Sequence, residues 1–89
     1  MAKNLGYGNI KTGDEYVNVA SVFGISFTNG NKYNIQIKGD DVLLCESTSK
    51  PIGGGFYPPV KPFIYTKDSE SLWVKVLNRK SAYFNIAEA

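Results

Sequence analysis

Few side chains in this chain of 89 residues belong to types that carry out covalent chemistry. It contains no histidine, so Ser-His-Asp and Cys-His nucleophile schemes and histidine metal sites cannot be assembled from it. The single cysteine, Cys45, lies between Leu44 and Glu46. An apolar neighbour and an anion both disfavour a thiolate, so Cys45 reads as a small buried hydrophobe. No second thiol exists to close a disulfide or complete a zinc site. Asp40 and Asp41 form a carboxylate pair, but in a Gly39-Asp40-Asp41 turn, and adjacent residues on an extended chain point apart. Gly53-Gly54-Gly55 invites a phosphate-loop reading, which fails on context. Phe56-Tyr57-Pro58-Pro59 follows in place of Lys-Ser/Thr and a helix start, and proline has no amide to donate. The expectation is a protein that is not an enzyme, with no metal and no cofactor.

Binding chemistry has more support. Phe56-Tyr57-Pro58-Pro59 is stiff and apolar, and burying its rings is worth roughly 2–3 kcal/mol each. The segment either folds back over one open end of the domain or contacts a neighbouring molecule. Tyr33, Trp73, Tyr83 and Phe84, with scattered lysines, are candidates for stacking on single-stranded nucleic acid. Against this, Tyr33 shares its strand face with Ile35 and Ile37, which marks that face as core. The ten Lys/Arg and eight Asp/Glu leave a net charge of +2, and the basic residues form no run longer than Arg79-Lys80. That is an ordinary solvated surface, and nucleic acid is not the expected partner.

The elements that must position these residues are strands. Residues 1–14 hold Gly6, Gly8 and Gly13, with few large apolar groups and no sustained period, and read as an extended N-terminal arm. Residues 15–89 read as one β domain. From Tyr16 to Phe27 the apolar residues are β-formers, Asn29-Gly30 is a turn signal, and Tyr33 to Lys38 alternates cleanly, so residues 22–38 read as a hairpin. Val42-Leu43-Leu44-Cys45 is a continuous apolar run, consistent with a strand covered on both faces. Residues 47–62 contain all four prolines and the glycine triplet, and must be a loop. Loops this long are often functional or interfacial. Phe63-Ile64-Tyr65, Leu72 to Leu77 (with Leu72, Val74 and Val76 on one face) and Ala82 to Ala87 complete the set. The pattern predicts a small antiparallel β-sandwich or barrel of about six or seven strands and no helix.

At this length a lone core yields only a few kcal/mol, and disulfides and metals are absent as supports. Oligomerisation or docking on a partner is the remaining means of extra stability. No segment approaches the roughly 18–20 apolar residues of a membrane span, so no membrane association is expected. The opening residues lack an apolar secretion run, and a free thiol suits synthesis in a reducing cytoplasm.

The second half also has a recognisable cadence. Val42-Leu43-Leu44-Cys45-Glu46-Ser47 is followed by Lys50-Pro51, Gly53-Gly54-Gly55-Phe56 and Val60-Lys61-Pro62-Phe63. Ser71-Leu72-Trp73-Val74-Lys75 and Phe84-Asn85-Ile86-Ala87-Glu88 complete it. Residues 31–88 resemble small virion structural proteins of tailed bacteriophages: capsid-decoration, head-fibre and tail-associated components. The resemblance implies an auxiliary head protein, made in the host cytoplasm and carried in the virion. Its partners would be the major capsid protein, other virion proteins or neighbouring copies, with a homo-oligomer expected and a trimer favoured. It brings no catalytic residues. The expected contacts are Leu5, Tyr7 and Ile10 on the arm and Ile52, Phe56, Tyr57, Pro58 and Pro59 on the loop. The alternatives are a tail- or fibre-associated module that binds a receptor or carbohydrate through exposed aromatics, and a small single-strand-binding barrel.

Overall fold

The structure is a computed structural model that describes residues 4–11, 15–39, 41–55, 63–77 and 81–89. Its elements are β1 (Asn4–Lys11), β2 (Val17–Asn18), α1 (Val19–Phe23), β3 (Lys32–Gly39), β4 (Val42–Ser47), β5 (Phe63–Thr66), β6 (Ser71–Val76) and β7 (Ser81–Glu88). The strands divide into two sheets, one ordered β1-β7-β3-β5 and the other β2-β6-β4. Every pairing is antiparallel. The all-β architecture is the expected one. Its connectivity has a simple rule: odd-numbered strands build one sheet and even-numbered strands the other. No strand pairs with its neighbour in sequence, so the domain contains no hairpin among the described residues.

One core lies between the sheets. Alternation puts Tyr33, Ile35 and Ile37 of β3 and Ala82, Phe84 and Ile86 of β7 inward, facing Val42 and Leu44 of β4 and Leu72, Val74 and Val76 of β6. Phe84, Ile35, Leu44 and Ile86 have no exposed surface. Each such side chain contributes roughly 1.5–3 kcal/mol by leaving water. On β4, Leu43 and Cys45 are only half-buried, so that strand is covered on one face, contrary to its unbroken apolar run.

Three expectations are corrected. First, residues 4–11 are not a free arm. They form an edge strand paired along β7 from Asn4↔Ala87 to Lys11↔Ser81, and Ile10 is 4 % exposed within the core. The glycines that disguised this strand are packing positions. A Cβ on Gly6 would sit 3.2 Å from Phe23 Cβ and 3.3 Å from Ile25 Cγ2, so the inner face of β1 is bare where those side chains cross it.

Second, residues 22–38 do not form a hairpin; Gly24 to Asn31 carries no strand. Third, the chain has a helix. α1 occupies a stretch of β-formers because both its ends are closed. The Asn18 side chain accepts from the Ser21 N–H at 3.2 Å. At the other end Gly24 is left-handed, with φ 65°. Its N–H donates to Ser21 O, and Ile25 N–H donates to Ala20 O at 3.0 Å, which is a Schellman closure. Val19 and Phe23, four residues apart, then meet the core.

Candidate functional site

Two surfaces present chemistry that the fold does not use. The first is the loop after β4. Ile52 is fully exposed, and its flanks are tied down. On one side Lys50 Nζ meets Glu15 Oε2 at 2.6 Å. On the other, the Tyr16 hydroxyl donates to Gly54 O at 2.5 Å. Tyr16 is itself buried, at 4 % exposure. Gly55 lies so close that a Cβ there would overlap the Tyr16 hydroxyl and reach 3.0 Å from Leu44 O. Gly55 therefore lets the loop backbone pass over a tyrosine. The ion pair holds the Glu15 carboxyl below its ordinary 4.5, through the Lys50 hydrogen bond first and its charge second. Burial pushes the Tyr16 phenol up, and the neighbouring Cys45 adds to it. Glu15, Lys50, Pro51 and Ile52 line a shallow surface recess.

The second surface is the outer face of the four-stranded sheet. Its register brings side chains from distant parts of the chain into rungs. Tyr7, Asn85 and Gln36 form one rung; Asn9, Tyr83 and Lys38 form the next. Ala87, Asn34 and Ile64 form a third. Asn4, Asn34, Gln36, Asn85 and Ala87 line a shallow concavity of about 180 Å³. The carbonyl oxygens of Asn34 and Asn85 are shielded from solvent and have no hydrogen-bond partner. Three of the five large exposed apolar side chains described, Tyr7 at 66 %, Ile64 at 55 % and Tyr83 at 38 %, stand on this face.

The residues singled out from sequence separate accordingly. Tyr7 and Ile52 are exposed, as a contact role requires. Leu5 and Ile10 are not available: Ile10 is core and Leu5 packs against it. Phe56, Tyr57, Pro58 and Pro59 lie outside the described residues, as does Asp40. Tyr33 and Phe84 face inward. Trp73 lies on the outer face of the three-stranded sheet, half-buried, with its indole N–H donating to Ser47 O at 3.0 Å. Cys45 is opposite Trp73 in the register and half-buried. Among the described residues no three His, Cys, Asp or Glu side chains converge, and no helix is long and apolar enough to cross a membrane. Sequence reasoning missed Asn34, Gln36 and Asn85 as candidates. Their signal was present as the wet half of the alternation in β3 and β7, but only the register shows that they meet.

No protein-family model, no curated protein and no solved structure matches the chain.

Proposed function

We propose that this chain is a non-enzymatic structural component of a tailed-phage virion, an auxiliary head protein that docks on the capsid or on neighbouring copies. The observation that supports the reading is Ile52. A large apolar side chain held in water between two ties, Lys50 to Glu15 and Tyr16 to Gly54, is pre-ordered for a partner's apolar recess. Such an anchor loses little conformational freedom on binding, which is where much of the cost of association lies. The residues that follow in sequence, Phe56-Tyr57-Pro58-Pro59, are of apolar and aromatic types that suit the same partner. The resemblance of residues 31–88 to virion proteins supplies the identity of the partner.

The experiment is immunogold labelling of virions purified from cells that produce the chain, beside light scattering of the isolated protein. Label over the head and a solution mass that is a stable multiple of 9.8 kDa are the expected results. Label confined to the tail tip would move the role to the fibre. Virions free of the chain would overturn the reading. Ile52→Asp is expected to lower capsid binding by at least about tenfold while leaving the far-ultraviolet spectrum unchanged.

A further inference from the structure

We infer that the outer face of the four-stranded sheet is a binding site for a neutral saccharide, centred on Asn34, Gln36 and Asn85, with Tyr7 and Tyr83 at neighbouring positions of the same face. The site does not rest on the virion reading, because it shares no lining residue with the recess at Ile52.

Four observations carry it. The first is the functional groups. A sugar hydroxyl both donates and accepts, and the primary amide is the side chain that does both without bearing charge. Four amides from three strands, Gln36 and Asn85 in one rung and Asn4 and Asn34 either side of Ala87 in the next, line one shallow concavity. The second is unmet bonding. The Asn34 and Asn85 carbonyl oxygens are shielded and have no protein partner, while both residues line the concavity, so a half-turn of either amide is what would bring its oxygen to a ligand there. A polyol satisfies either orientation.

The third is the pair of exposed tyrosines. Tyr7 stands opposite Asn85, and Tyr83 is one rung away, opposite Lys38 and Asn9. Their rings offer flat apolar surface to the C–H face of a pyranose and their hydroxyls offer hydrogen bonds. The fourth is charge. The face holds three lysines, Lys38 within the rungs and Lys11 and Lys32 towards its ends, and the rungs hold no carboxylate. None of the lysines lines the concavity, so the group seated there is met by neutral amides, whereas a polyanion such as nucleic acid is held by neutralising several phosphates together. Nor does the face suit a second copy of the chain, since homodimer interfaces are apolar at their centres and this centre is four amides around a hollow.

The test is a titration of the isotope-labelled full chain with neutral oligosaccharides of glucose, galactose and N-acetylglucosamine, each to about 10 mM, the range that reveals weak binding. The side-chain amide signals of Asn34, Gln36 and Asn85 are followed by NMR. Saturable shifts at those amides and at Tyr7 and Tyr83, insensitive to salt, are expected for at least one sugar. Tyr7→Ala, at an exposed position that the fold tolerates, should weaken binding about tenfold, as should Asn85→Ala. Ile52→Asp should leave it unchanged, which separates this site from the capsid anchor. The inference is overturned if no sugar moves the amide signals. Shifts that follow protein concentration instead of sugar would assign the face to self-association. Binding that strengthens for a sulfated saccharide and collapses in salt would make it an anion site around Lys38.

Discussion

The two sheets share one core but differ in what they leave at the surface. The outer face of the three-stranded sheet closes on itself. Trp73 is half-buried and spends its indole N–H on Ser47 O, while Leu43 and Cys45 are half-covered beside it. The outer face of the four-stranded sheet carries two shielded polar atoms without a partner, Asn34 Oδ1 and Asn85 Oδ1; the third among the described residues, the Tyr65 hydroxyl, belongs to the core. The same outer face also carries the exposed tyrosines. The same alternation therefore yields a face that consumes its polar groups and a face that keeps them unmet. A group left unmet in a domain this small weakens folding, so its presence points to a use outside the fold.

The comparison sharpens most at the aromatics. Trp73→Ala on the closed face should cost about 2–3 kcal/mol in denaturant unfolding, because a half-buried ring and a hydrogen bond are lost together. Tyr83→Ala on the open face should cost less than about 1 kcal/mol and act instead on saccharide binding. Equal losses at both positions would break the contrast.

The next effect is at the edge of the open sheet. Gly6→Val should cost roughly 1–3 kcal/mol in the same measurement, since the new side chain would collide with Phe23 and Ile25. A neutral result would mean that β1 does not pack as described. On the other side of the core, Tyr16→Phe removes the hydroxyl bonded to Gly54 O and should cost about 1 kcal/mol. It should also weaken capsid docking by freeing the Ile52 loop, which a particle-binding assay would show.

The smallest effect has the opposite sign. Tyr65 is 5 % exposed with an unpartnered hydroxyl, so Tyr65→Phe should stabilise the domain by about 0.5–1 kcal/mol. Burial, helped by the carboxylates of Glu46, Asp68 and Glu70, pushes the Tyr65 phenol above its ordinary 10.0. A folded-state value raised above the unfolded one means that stability is intact below pH 10 and falls as the pH climbs beyond it. The Phe variant should therefore lose less stability on the alkaline side, in unfolding curves taken on either side of pH 10. Identical alkaline losses would remove Tyr65 from that account.

Much of this molecule was legible from residue types. The inward faces Tyr33-Ile35-Ile37 and Leu72-Val74-Val76 follow from alternation, because a strand exposes every second side chain to the same environment. A β-rich fold follows from the same signal. The absence of histidine and of a second thiol from the composition argued against metal and triad chemistry before any coordinates. Two local features were misread because the local signal was ambiguous. β1 looked like an arm, since its inner positions are glycine to admit Phe23 and Ile25, and that need is written in residues some fifteen positions away. α1 looked like strand because Val and Phe favour strands, and its Asn18 and Gly24 caps are the local features that argue for a helix.

What the tertiary structure alone decided is which strands meet. Hydrophobic alternation assigns each strand an inside and an outside but says nothing about its lateral neighbour. Turn chemistry argues for hairpins, and here every connection instead crosses from one sheet to the other. The polar face depends wholly on that outcome. Tyr7, Asn34, Gln36 and Asn85 come from the two ends and the middle of the chain, and they form one surface only because β7 lies between β1 and β3. The residue types were set by the sequence. Their meeting was set by long-range backbone pairing, which no short window of residues encodes.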